Sequence, residues 1–286
     1  MSSHLLQKHR PRLSVVIPAH NEEGCIASTV ENLYAQLTAA EVDHEIVVVN
    51  DNSSDNTESI LVDLERTIPS LRHVNNCPPH GFGFAVRAGL EAFEGDAVVV
   101  YMADASDRPE DLIAFFRKME ADNLDCVFGT RFHREAKIVD YPRLKLAINR
   151  AANLFIQILM GLRYNDTTNA FKMYRRHVIT GLQPLLSHHF NLTVELPLKA
   201  IVRGYTYAVV PNWWINRKTG ESKLKIKEMG SRYLFIVLYC LIEKCLSRGD
   251  YHRVKQSQQA EARALFSSGT AATVGASNPG VDHPAV

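Results

Sequence analysis

Val98-Val99-Val100-Tyr101-Met102 runs directly into Ala103-Asp104-Ala105-Ser106-Asp107-Arg108-Pro109-Glu110-Asp111. Five apolar residues in a row make a buried strand, and two carboxylates follow it closely. In an open α/β sheet, ligands gather beyond the carboxyl ends of the strands, so acids placed there face a bound molecule. Oxygen donors at that spacing suit a hard cation such as Mg²⁺ or Mn²⁺, and such a cation suits a diphosphate. A second reading stays open. Acids in a strand-to-helix turn also cap the next helix, and Pro109 fits a first helical position.

The surrounding sequence repeats the pattern. Residues 13–17, 45–49, 97–102 and 126–129 read as short apolar strands. Between them, residues 25–37, 57–64, 84–93 and 112–119 place apolar side chains at helical spacing. Such alternation implies an α/β domain, its mostly parallel sheet covered by helices on both faces. The second half is less regular. Residues 141–160, 176–186 and 193–203 read as helices, 166–174 as a turn with a strand-like exit, and 205–210 as a strand. The expected divisions are a polar segment over 1–12, one domain over 13–225, an amphipathic helical segment over 226–253 and a disordered tail over 254–286.

Composition excludes some classes. Thirty-two basic against 31 acidic residues leave a net charge of +1, so no global field attracts nucleic acid. The five cysteines are scattered without metal-type spacing, which suits a reducing compartment. Residues 1–12 lack the apolar stretch of a secretory signal. The longest apolar run, Tyr233 to Ile242, is closed by Glu243 and Lys244 and is too short to span a bilayer. Lys223, Lys225, Lys227 and Arg232 precede it, and Lys244, Arg248 and Arg253 follow. That arrangement suits a helix lying on an anionic membrane surface, and equally one packed on the core or on a second copy.

Chemistry gathers at the other strand ends. The first strand runs into Pro18-Ala19-His20-Asn21-Glu22-Glu23, where Asn21 suits the cap of a helix beginning near Glu23. The second ends in Asn50-Asp51-Asn52-Ser53-Ser54-Asp55, and the Asp51 carboxylate suits the N–H groups of a nucleobase. His80-Gly81-Phe82-Gly83-Phe84-Ala85 has neither the spacing nor the position of a dinucleotide fingerprint. It leaves a glycine turn that either offers N–H groups to a ligand or simply opens a helix. Arg131 follows a strand, and Arg217 to Lys223 lies in a glycine-containing loop after Trp213-Trp214; both places suit phosphate. The twelve histidines show no zinc spacing, and no G-x-S-x-G nucleophile motif is present.

Taken in order, Val16 to Glu23, Val48 to Thr57, Gly81 to Ala85, Met102 to Asp107, Gly129 to Phe132, Asn165 to Lys172 and Gly220 to Leu224 resemble the family-2 inverting glycosyltransferases of GT-A fold. The chain is most similar to the dolichol-phosphate mannose synthase-like enzymes, which move a sugar from a nucleotide onto a polyprenyl phosphate. The resemblance implies a nucleoside site of Pro18, Ala19, Asn21, Glu22 and Asp51, and a metal, Mg²⁺ or Mn²⁺, facing Asp104 and Asp107. It implies Arg131, Lys145 and Arg217 facing donor and acceptor phosphates, with Gly83, Asp166, Ser222 and Lys223 completing the substrate contacts. Asp104, Asp107, Arg131 and Arg217 would carry the chemistry.

The sequence departs from the family's Asp-Ala-Asp pattern, which a Gln follows two residues later. Here Ala103 and Ala105 take the two Asp positions, Asp104 falls between them, and Asp107 stands in place of the Gln. The implied partners are a nucleotide-sugar, a lipid-linked phosphate, the inner face of a membrane reached from the cytoplasm, and a second copy of the chain. Two rivals stand beside this reading. One is a hydroxyl-directed transferase with Asp166 or Glu195 as base; the other is a nucleotide-sugar-binding protein without catalysis.

Overall fold

Alternate residues of a strand face opposite sides of its sheet, and in this chain both sides are apolar. A computed structural model describes residues 10–216 and 226–253. The strands are β1 (Leu13–Ala19), β2 (His44–Asn50), β3 (Leu71–Asn75), β4 (Ala97–Val100), β5 (Cys126–Thr130), β6 (Lys137–Val139), β7 (Lys172–Arg175), β8 (Tyr207–Pro211) and β9 (Trp213–Ile215). The helices are α1 (Ile26–Ala39), α2 (Thr57–Glu65), α3 (Phe82–Ala92), α4 (Pro109–Ala121), α5 (Arg143–Met160), α6 (Arg176–Gly181), α7 (Leu192–Val202) and α8 (Ile226–Leu246). Seven strands form one sheet in the order β3-β2-β1-β4-β7-β5-β8, while β6 and β9 pair separately.

β1 lies parallel to β2 and β4, β2 to β3, and β5 to β8. β7 is the exception, antiparallel to both β4 and β5. The chain steps outward from β1 to β3, then returns to place β4 on the far side of β1. That reversal opens a crevice at the carboxyl ends of β1 and β4.

Period-two packing explains why these strands form. Val15 and Ile17 of β1, Ile46 and Val48 of β2, and Val99 of β4 face α1, α2 and α4 through Leu33, Leu61 and Phe115. The intervening Val16, Val47, Val49, Val98 and Val100 face α3 and α7 through Ala85, Val86, Leu192 and Leu196. With both faces covered, nearly every strand residue must be apolar. A third cluster joins Ile156 and Met160 of α5, Val194 and Leu198 of α7, and Ile236, Val237 and Cys240 of α8. α7 is therefore buried on two sides, and α8 packs against α5 and α7.

α5 is built the other way round. Its Asn153 side chain is buried and bonds Thr167 and Thr168, whereas Leu144, Ile148, Leu154, Phe155 and Ile158 are exposed. Ile156 and Met160 face inward with Asn153, so the helix carries a second apolar stripe that faces outward; on α8, Leu234, Phe235, Leu238, Ile242 and Leu246 are exposed as well. No helix of the described residues is long and apolar enough to cross a membrane.

Candidate active site

A cavity of about 790 Å³ occupies the crevice. One end is made of strand ends: Pro18, Ala19 and Glu22 after β1, Asp51 after β2, and Asp104 and Asp107 after β4. The other end is apolar, lined by Ile148, Phe155 and Ile156 of α5 and by Tyr233, Leu234 and Val237 of α8. Arg131, Lys145 and Asn149 line it as well, beside Tyr141 and Trp214, whose rings lie 4.8 Å apart.

The loops after β1 and β2 hold each other. Asn21 Oδ1 accepts from the Ser54 amide at 2.8 Å, and the Glu22 amide donates to Thr57 Oγ1 at 2.9 Å. Asn21 does not cap a helix: α1 begins at Ile26, with Cys25 at its cap position and no side-chain cap bond. Its own backbone is left-handed (φ 55°), a conformation that asparagine tolerates better than most residues, and its side chain spends its oxygen on the β2 loop. Asn21 is thus a brace for the cavity rather than a wall of it.

Asp51 is buried and takes three donors. Asn76 Nδ2 (2.8 Å) and His80 Nδ1 (3.0 Å) reach Oδ1, and the Gly81 amide (2.7 Å) reaches Oδ2. Gly83 does not line the cavity. A Cβ there would stand 2.3 Å from the His188 backbone, so the absence of a side chain lets α3 pack against the 187–190 loop. Phe82 stacks on Phe190 and Phe84 on His188 across the same seam.

The acidic turn separates two jobs that the sequence left together. Glu110 and Asp111 occupy the first turn of α4 behind Pro109, and Asp111 accepts from the Trp213 amide. Asp104 and Asp107 instead face the cavity. Ala105, left-handed at φ 54°, turns the chain between them, and Tyr101 donates its hydroxyl to the Asp107 carbonyl. Trp214 bridges Asp107, and the Ile215 amide donates to the Ser106 carbonyl, which pins the turn to β9. Burial, followed by the neighbouring Asp104 charge, pushes the Asp107 carboxyl up to about 8. Its Oδ1 is buried and has no hydrogen-bond partner among the described residues.

Such an orphaned carboxylate oxygen, facing a cavity beside a second carboxylate, fits a divalent cation. The described residues supply no group of three or more acidic, His or Cys ligands. Two carboxylates with the rest of the shell from phosphate oxygens is a common arrangement for Mg²⁺.

Arg131 makes a fork onto Asp166, with Nε to Oδ2 at 2.9 Å and Nη2 to Oδ1 at 2.7 Å; its own amide donates to Oδ2 as well. Burial would lower the guanidinium pKa, but the Asp166 charge and hydrogen bonds raise it well above its ordinary value. Asp166 is fully buried and is the brace of Arg131, not a wall of the cavity. Glu195 is equally occupied: it accepts from the Leu186 and Ser187 amides and pairs with Lys199 at 2.6 Å. Of the basic residues flanking Tyr233 to Ile242, Lys244 donates to the Met160 carbonyl at the end of α5, and Arg253 pairs with Asp125.

Eight expected residues therefore share one cavity: Pro18, Ala19, Glu22, Asp51, Asp104, Asp107, Arg131 and Lys145. Arg217, Ser222 and Lys223 lie outside the described residues. Sequence reasoning missed His20, His80, Tyr141 and Asn149, which line the cavity too. His20 and His80 stood inside stretches already singled out, Pro18 to Glu23 and His80 to Ala85.

The sequence model described as Glycosyl transferase family 2 matches residues 14–182. The chain belongs to that family. This family-2 glycosyltransferase is 30% identical over 224 residues to the polyprenol monophosphomannose synthase of Mycolicibacterium smegmatis, covering 74% of this chain and 81% of that one. It is 27% identical over 218 residues to the undecaprenyl-phosphate mannosyltransferase of Micrococcus luteus, covering 74% and 87%. Among solved structures it resembles glucosyl-3-phosphoglycerate synthase of Mycobacterium tuberculosis. The complex with Mn²⁺, UDP and glucosyl-3-phosphoglycerate gives a TM-score of 0.60 at 20% identity, covering 82% of this chain and 80% of the other. The complex with Mg²⁺ and UDP gives 0.59 at 20% identity, covering 82% and 79%. That likeness is one of fold, and the fold is GT-A.

Proposed function

We propose that this glycosyltransferase moves a sugar, with inversion, from a nucleotide-sugar donor to a polyprenyl phosphate at the inner face of a membrane. The observation that carries the reading is the two-ended cavity. A polar, acidic end at the switch point suits a nucleoside diphosphate, and an apolar gutter between α5 and α8 suits an isoprenoid chain. Arg131 and Lys145 line the same cavity, where phosphates of donor and acceptor would meet.

The chemistry follows from charge. An acceptor phosphate oxygen bonds to the anomeric carbon as the bond from that carbon to the diphosphate breaks, so negative charge builds on the departing nucleotide. Asp104 and Asp107 would hold Mg²⁺ or Mn²⁺, which when bound neutralises that charge. Arg131, held in place by Asp166, lines the cavity with a fixed positive charge. A phosphomonoester has a second pKa of about 6, so it is largely ionised at neutral pH and needs no general base. A hydroxyl acceptor would need one, and both carboxylates named for that role, Asp166 and Glu195, are buried and committed to ion pairs.

The exposed apolar residues of α5 and α8 border the gutter and suit contact with a lipid surface, from which the acceptor would enter. Incubation of the full chain with a panel of radiolabelled nucleotide-sugars tests the reading. Label transferred to polyprenyl phosphate but not to polyprenol is the expected result. Transfer only to alcohols would favour the hydroxyl-directed rival, and binding without turnover the inactive one.

A further inference from the structure

Two asparagines one turn apart on α5, Asn149 and Asn153, form a relay whose direction is fixed by a backbone group. The Thr168 amide reaches Asn153 at 3.3 Å, and Thr167 Oγ1 lies 2.9 Å from the same atom. A backbone N–H only donates, so that atom is the Asn153 oxygen. Asn153 Nδ2 is thereby turned toward Asn149, where it meets Oδ1 at 2.6 Å. Asn149 Nδ2 is turned in its own right toward Tyr141, and donates to the phenol oxygen at 3.2 Å. The Tyr141 oxygen accepts in this bond, so its own hydrogen points elsewhere.

Thr168 closes the network. Its Oγ1 donates to Asn149 Oδ1 at 2.8 Å and accepts from Asn153 Nδ2 at 2.9 Å and from Arg131 Nη2 at 3.4 Å. The oxygens of Asn149, Asn153 and Thr168 are thus supplied from within, and what is left over is hydrogen: the Tyr141 hydroxyl and the second hydrogen of Asn149 Nδ2. Neither has an acceptor among the described residues. Tyr141 and Asn149 both line the cavity, as do Arg131 and Lys145, and Lys145 Nζ lies 5.7 Å from the centre of the Tyr141 ring. Surplus donors beside two cations suit an anion rich in acceptor oxygens.

Building on the glycosyl-transfer reading of this cavity, we propose that Tyr141 donates its hydroxyl hydrogen to a phosphate oxygen of a bound substrate, and that Asn149 is the positioning residue that aims it. The phosphate belongs either to the acceptor or to the donor diphosphate, and the same chemistry serves both.

Tyr141→Phe keeps the ring against Trp214, 4.8 Å away between centres, and removes only the hydroxyl. At an unchanged melting temperature, it should weaken the phosphate contact about tenfold, the loss of one charge-assisted hydrogen bond. Two measurements on the full chain read this: the KM for polyprenyl phosphate in the transfer assay, and calorimetric affinity for GDP and UDP with Mg²⁺. A raised KM supports the proposal and puts the hydroxyl on the acceptor phosphate; weakened nucleotide binding supports it and puts the hydroxyl on the donor. Wild-type values in both would overturn the proposal and leave the glycosyl-transfer reading intact. A wild type that neither binds nucleotide nor transfers sugar would remove that reading, and this inference with it. The relay is tested separately. Asn149→Asp sets an accepting oxygen where Nδ2 stood, which takes the tyrosine hydrogen back. In that background Tyr141→Phe should cost less than about twofold, because the hydroxyl is already withdrawn. A further loss of about tenfold there would overturn the role of Asn149.

Discussion

The two ends of the cavity, the donor end and the acceptor end of the proposed reading, are built on different principles. At the donor end, short loops leave a regular parallel sheet, and their polar groups are held mainly by neighbouring backbone and side chains in adjacent loops: Asn21 by Ser54, Asp51 by Gly81. Around the acceptor end, helices are held by buried ion pairs: Arg131 with Asp166, Lys199 with Glu195, Arg203 with Glu243. Breaking a buried pair strands a charge in a poorly polarisable interior, whereas removing one of two carboxylates that repel each other does not. The donor end should therefore lose chemistry before it loses stability, and the acceptor end the reverse.

The largest expected effect lies at the donor end. Asp104→Asn and Asp107→Asn should each lower turnover by about 10²–10³-fold, with a melting temperature equal to or above that of wild type, because the two carboxylates repel each other. Steady-state rates with and without a chelator, alongside thermal melts, check both halves. Full activity in the chelator would break the comparison, since Arg131 and Lys145 alone would then neutralise the diphosphate.

At the acceptor end, Arg203→Ala leaves Glu243 buried without its partner and should cost about 3–5 kcal/mol of stability. Urea unfolding reads this directly. A loss below about 1 kcal/mol, as for an exposed pair, would show that α8 is held by its apolar face alone.

Lys172 sharpens the same point through pH. Its Nζ is buried against the carbonyls of Thr167, Asn169 and Thr193, and burial pushes its pKa down to about 7 against the nearby Asp166 charge. The unfolded chain keeps that proton up to about pH 10. Between these limits the unfolded state binds more protons, so this residue's contribution to stability rises with pH and is lost as pH falls toward 7. The stability of wild type relative to Lys172→Met should therefore increase from pH 7 to pH 9. A difference that stays flat would mean that Lys172 remains an ammonium throughout, held by the three carbonyls.

The smallest effect on the fold, and the most selective on function, belongs to the outward stripe. Phe155→Glu and Leu238→Glu should leave melting and nucleotide binding unchanged but reduce flotation with anionic liposomes and transfer to polyprenyl phosphate by about tenfold. Unaltered flotation would exclude this face as the membrane contact. A shift from dimer to monomer in sedimentation would assign it to a second copy instead.

Some of this was readable from residues alone, and the failures have physical causes. Val98 to Val100 and the acids beyond them announced a strand end facing a ligand, because an apolar run followed by turn chemistry has few other uses. Gly83 was equally visible as a glycine in a turn, but its partner, the His188 backbone, is more than a hundred residues away in sequence. Asp166 and Glu195 looked like free bases for the same reason, since a carboxylate reads alike in sequence whether it is paired or bare. β3 and the short β6 mix polar with apolar residues, and β9, though apolar, is only three residues long; edge or satellite strands need no continuous apolar run.

By itself the sequence determined the regular half: a parallel sheet with both faces covered, acids at its carboxyl ends, and no segment long enough to span a bilayer. Those properties depend on period and on neighbours within a few residues. Only the tertiary structure decided which charges are spent on each other, which glycine admits a backbone, and that α5 turns its polar Asn153 inward and one apolar stripe out. Helical spacing marks a stripe but carries no sign. Which side becomes the interior depends on what packs there, and here Thr167 and Thr168 offered Asn153 the hydrogen bonds that water would otherwise have made.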